Sequence, residues 1–129
     1  ATVAAARELG SSYCSLAHGS ELAREVGVET AIKIASGEST DPLHAAIGEL
    51  ARKVAASPAG ITEADLKPLR DLGLSDVDIL DVVRAAAARC FFSSVLEATG
   101  AVPDSAYANR DGSLRKVPTV GRPIEQGGP

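Results

Sequence analysis

Methionine and tryptophan are missing from these 129 residues, and two Phe and two Tyr make up an aromatic share of only 3%. Any core must therefore be built from Ala, Val, Leu and Ile, a composition that favours helices packed closely together. Cysteine is scarce too, with two in a chain long enough to form one domain that buries roughly 68–70% of its unfolded surface. That excludes a disulfide scaffold and points to a reducing, cytoplasmic setting. No run of about 18 apolar residues occurs, so no spanning helix is expected. The opening residues carry no basic segment followed by an apolar one, so no secretory leader is expected either. Basic residues form neither a stripe nor a block, and the net charge is −4. Nucleic-acid and membrane-surface binding are thereby disfavoured. A start other than Met also goes with an opening, ATVAAARELG, that reads as the end of a helix without its cap. The natural protein is expected to begin upstream.

What is present is a run of helix signals. Ser11 is a good N-cap for a helix running to about Val26, with Gly27 as its stop. A short helix follows from about Glu29 to Ser36, ending at Gly37. Asp41-Pro42 opens another, with Leu43, Ala46, Ile47, Leu50, Ala51 and Val54 on one stripe. Ser57-Pro58 and Gly60 break it. Thr62 with Asp65, then Ser75 with Asp78, have the spacing of capping boxes for two more helices. The second runs from about Asp76 to Thr99 and is apolar on most sides, which predicts burial, centrally or against another subunit. From Ala101 onward four prolines and four glycines without a period read as an irregular tail. With no period-two pattern and no repeat, the predicted class is all-α, with a helical domain over 1–104 and a tail over 105–129.

The chemistry concentrates in SSYCSLAH, residues 11–18. With Ser11 at the cap, Cys14 is the third helical residue, where free amides and the helix dipole favour a thiolate. His18 follows one turn later on the same face, placed to take the thiol proton. Cysteine also packs as a small hydrophobe, so the spacing alone leaves a structural role open. Two such residues leave a tetrahedral zinc site half empty, and neither metal nor cofactor is expected. Tyr13 is a candidate for substrate positioning or an ordinary half-buried ring. Cys90, on the long apolar helix, reads as core or as a distant resolving thiol. His44, in the first turn of its helix, is expected to face solvent, and Glu63, Asp65, Asp76 and Asp78 are read as helix-start charges.

SSYCSLAHGSELAREVGV, PLHAAIGELARKVAASPAGITEADLKPLRDLGLSDVDILDVV and FFSSVLEATGAVPD, in this order and spacing, resemble the alkylhydroperoxidase AhpD-like family of the carboxymuconolactone decarboxylase superfamily. The resemblance covers about Ala1 to Asp104. It implies an AhpD-like helical bundle that assembles as a homo-oligomer, with the family's CxxCxxxH motif at a helix start. Ser11 stands where the first motif cysteine would be, and Cys14 and His18 match the remainder. The family's relay glutamate would fall just before Ala1, and Glu8 is too close to replace it. Asparagines frequent in the family are here Cys90 and Ser93.

The function so implied is a thiol-dependent peroxidase acting on small organic hydroperoxides. Cys14 would be the attacking thiolate, His18 its activating base, and Ser11 and Tyr13 the site lining. An external thiol would be needed as reductant, since the Ser11 hydroxyl cannot resolve a sulfenic acid. A catalytically silent oligomeric or binding protein, and a non-redox enzyme of the decarboxylase branch, are the alternative readings.

Overall fold

The computed structural model describes residues 1–126, so the last three residues of the expected tail lie outside the described residues. Every regular element among the described residues is helical, and the fold is all-α. The helices are α1 (Thr2–Glu8), α2 (Ser12–Val26), α3 (Val28–Ser36), α4 (Pro42–Ala56), α5 (Glu63–Asp71), α6 (Asp76–Ala98) and α7 (Gly112–Lys116), with 3₁₀ turns at Pro58–Gly60 and Ser105–Asn109.

Local chemistry sets the helix starts. The Ser11 hydroxyl accepts from the Cys14 amide at 3.5 Å, and the Asp41 carboxylate accepts from the His44 amide at 2.8 Å. Before α6 the exchange is reciprocal: the Ser75 N–H donates to the Asp78 carboxylate at 2.8 Å, and the Asp78 N–H donates to the Ser75 hydroxyl at 3.2 Å. Each contact satisfies an amide that the helix itself leaves free. Gly27, at φ 83°, ends α2 and leads directly into α3, a left-handed turn that residues with a Cβ avoid.

The opening segment, read as a helix end without its cap, forms α1, and Ala1 at its start makes no side-chain cap hydrogen bond. α1 lies at the centre, packed against α2, α4 and α6. Val3, Ala4, Ala5 and Ala6 are all buried. Methyl side chains let the surrounding helix backbones come close, so the least bulky helix takes the most crowded place. The main cluster joins Ala4 and Ala5 to Leu50, Ala51 and Val54 of α4, Leu69 of α5, and Ile79 and Ala86 of α6.

The expectation for α6 is met on one side only. Its buried residues, Ile79, Ala86 and Ser93, recur every seven positions and make a single seam. Val77, Leu80, Phe91, Phe92 and Val95 point outward, with Phe91 65% exposed.

The segment after Gly100 is more ordered than its composition suggests. Asp104 caps the 3₁₀ turn through the Ala106 N–H at 2.7 Å, and Asp111 caps α7 through the Ser113 N–H at 3.0 Å. Pro103 and Pro118 are fully buried, Pro118 beside Gly19 of α2. The Ser12 hydroxyl accepts from the amides of Val120 and Gly121, at 3.1 and 2.8 Å. Arg7 donates to the Val117 carbonyl, and the Glu125 amide to the Pro103 carbonyl at 2.8 Å. The strap thus replaces missing apolar bulk with backbone hydrogen bonds to the α1–α2 corner.

Candidate active site

Helix α2 presents Cys14, His18, Glu21 and Glu25 along one stripe, since these positions fall on one face at 3.6 residues per turn. Ser12, Leu16 and Gly19 occupy the opposite side, where the strap docks through Ser12 and Gly19. The two faces of one helix thereby divide structural anchoring from the titratable groups.

Cys14 is 2% exposed. An open thiol, the arrangement that peroxide access calls for, is therefore not present; the helices that pack on the start of α2 cover it. Among the described residues its Sγ has one hydrogen-bond partner, Nη1 of Arg89 on α6, at 3.3 Å. No hydrogen bond joins Sγ to the His18 ring. Ser11, fully buried, contributes its hydroxyl to the cap.

Arg89 is the residue that sequence reasoning missed. Its guanidinium lies over the Phe92 ring, 5.5 Å from the centroid, and its Nε is buried without a hydrogen-bond partner. No carboxylate lies within ion-pair distance of it among the described residues. The guanidinium is only partly buried, so water solvates part of it, and its buried Nε is the atom left without a partner. The atom that it reaches is the Cys14 sulfur, and a thiolate there would complete the pair. The sequence carried one signal: positions three and four away on both sides hold Ala85, Ala86, Phe92 and Ser93, so Arg89 has no acidic neighbour along its own helix. Arg84, by contrast, pairs with Asp81 at 3.4 Å.

His18 is half-buried. Burial first, and then the positive charge of Arg89, push its pKa below the ordinary imidazole value, against an opposing pull from Glu21. The ring is thus held neutral at neutral pH, the form that can accept a proton. Around the Arg89–Cys14 contact the helix interface is polar: Ser15 and Ser93 are fully buried, and their hydroxyl oxygens have no partner.

The other candidates fall in different places. Tyr13 is half-buried and lies near Tyr107 of the strap, whose phenol is pushed up in pKa by burial and then by Tyr13. Cys90 packs against the main cluster, and burial raises its thiol pKa. Both cysteines are free thiols. His44 does not simply face solvent: its side chain is 37% exposed, and it borders the same cavity as His18. The N-terminal turn of α4 tilts it inward across from α2. Asp65 and Asp78 serve helix starts, Asp65 accepting from the Thr62 N–H at 2.8 Å and pairing with Lys53. Glu63 and Asp76 both pair with Arg70.

A wider hollow of about 530 Å³, between α4 and α6, is lined by Leu43, Ile47, Leu72 and Val82 and lacks any cysteine or histidine. No group of three His, Cys, Asp or Glu side chains able to hold a metal ion occurs among the described residues. No helix among them is long and apolar enough to cross a membrane. No family model matches the chain, and no curated protein matches it in sequence.

Proposed function

We propose that this chain is an AhpD-like thiol-dependent peroxidase that reduces small organic hydroperoxides through Cys14. The observation that supports this best is the Arg89 guanidinium, which has no carboxylate partner among the described residues and lies 3.3 Å from Sγ at the capped start of α2. Neutral His18, one turn along the same face of α2 but not hydrogen-bonded to Sγ, takes the thiol proton through a bridging water. The thiolate attacks one oxygen of the O–O bond, forming the S–O bond of a sulfenic acid as the alkoxide departs. Imidazolium then returns the proton, giving the alcohol. One external thiol condenses with the sulfenic acid and releases water, and a second reduces the mixed disulfide to regenerate Cys14. This cycle fits the reducing cytoplasm. Because the sulfur is covered, peroxide reaches it only when a covering side chain moves.

The reading includes a homo-oligomer, built on the outward stripe of α6. A row of exposed apolar side chains that includes Phe91 and Phe92 is the kind of patch that marks an interface. Sedimentation is expected to give a species larger than the 13.1 kDa chain. A stable monomer at micromolar concentration counts against assembly. The burial of Cys14 favours the second reading, a catalytically silent binding protein that retains the fold.

The product of limited peroxide treatment tests the enzyme reading. In the parent chain Cys14 is expected to accumulate as a sulfenic acid that a dione reagent traps, because Ser11 offers no resolving thiol. With Ser11→Cys the neighbouring sulfurs should close an internal disulfide instead, as read by mass spectrometry. A Cys14–Cys90 disulfide in the parent would make Cys90 the resolving thiol. A Cys14 left intact by peroxide that oxidises free cysteine would favour the silent protein.

A further inference from the structure

The α2 stripe continues past the thiol into a cavity of about 300 Å³ that shares only His18 with the proposed peroxidase chemistry. α2, α3, α4 and α1 enclose it. Its apolar walls are Val3, Leu22, Ile34 and Ile47, and its polar groups are His18, Glu21, Glu25 and His44. This is the small end of the range of ligand sites, with the usual mixture of an apolar body and a few converging polar groups. Both histidines of the chain border it.

The charge on this lining is one-sided. It holds two carboxylates and two imidazoles, and no Lys or Arg side chain. Glu21 is already tied to Arg24 at 2.7 Å. Glu25 has no ion-pair partner among the described residues. The His44 Nδ1 is buried without a hydrogen bond, its nearest carboxylate oxygen being that of Asp41 at 3.8 Å. An anionic ligand would meet the two carboxylates unaided. A ligand with hydrogen-bond donors on a positive end, and an apolar body, would satisfy every feature of the lining.

We infer that this cavity binds a small organic amine, its ammonium donating to Glu25 and to the imidazoles and its apolar part lying on Leu22, Ile34 and Ile47. The site stands independently of whether Cys14 reacts with peroxide.

Three probes with one ring and different charge test it: benzylamine as its ammonium ion, benzyl alcohol and benzoate. Because the chain has two histidines, each gives its own ring carbon–proton signal by NMR, and both report on the same cavity. Benzylammonium is expected to shift both signals and to bind about fivefold more tightly than benzyl alcohol, the order of an exposed ion pair. Benzoate should leave both signals in place. Glu25→Gln, at an exposed position, should reduce benzylammonium to the affinity of the alcohol and leave the alcohol unchanged. A benzoate response equal to that of the amine overturns the proposal. So does an amine preference that survives Glu25→Gln, or a failure of all three probes to move either histidine.

Discussion

Arg89→Gln is expected to slow alkylation of Cys14 at neutral pH by about tenfold, the consequence of losing a charge-assisted hydrogen bond of roughly 1.5–3 kcal/mol. The measurement is made in a Cys90→Ser background, so that one thiol reports. The guanidinium contacts Sγ directly at 3.3 Å, so a negative charge arising on the sulfur during reaction would be met at hydrogen-bond range. Arg89→Lys should recover part of the rate, since it keeps the charge and loses the planar fork. Arg84→Gln, five positions earlier and paired with Asp81, should change nothing. An Arg89→Gln protein whose alkylation profile matches its parent would remove the guanidinium from any account of Cys14 chemistry. Oxidation by peroxide should fall in the same proportion if attack proceeds through the thiolate.

Ala5→Leu is expected to be the most damaging single substitution in the core. Ala5 is 0% exposed, on the central helix, and shares its cluster with α4 and α6 residues. Three added carbons have no void to enter, so neighbouring backbones must separate. Overpacking typically costs 1–3 kcal/mol and sometimes more. At the upper end, about 3 kcal/mol, the melting temperature would fall by about 10 °C. Ala45→Leu, on the exposed side of α4, makes the same chemical change in open space and should stay within about 0.5 kcal/mol of the parent. Equal melting of Ala5→Leu and parent would show that α1 is not the tight centre described above.

The two experiments probe features that differ in how far the sequence disclosed them. Ser11, Asp41-Pro42 and Ser75 with Asp78 announce α2, α4 and α6 because caps are local: the side chain and the amide that it satisfies are three residues apart. The placement of α1 is not local. A short Ala-rich segment has the same appearance at a frayed terminus and at the middle of a bundle, and only its contacts with α4 and α6 separate the two. The docking of the strap was not legible for another reason. Asp104 and Asp111 were readable caps, but the surrounding prolines and glycines outweighed them, and the Ser12 hydroxyl that holds the strap is over a hundred positions away.

At the candidate site, Cys14 and His18 were legible from their spacing. Arg89 is seventy-five positions from Cys14 and became visible only when α6 was laid against α2. The placement of His44 on the His18 cavity likewise depends on how α4 faces α2.

The central position of α1 has a consequence for synthesis on the ribosome. The seven residues of α1 described here cannot hold a helix by themselves in water and depend on their packing partners. Its partners on α6 emerge more than seventy residues later, so α1 is fixed long after it is made. Ala4 and Ala5 cannot be sealed in until Ile79 and Ala86 have left the exit tunnel, and the nascent chain must carry α4 and α5 with their inner faces uncovered until then. Slow translation between α5 and α6 would lengthen that exposure, whereas a rapid passage through the α6 codons would shorten it.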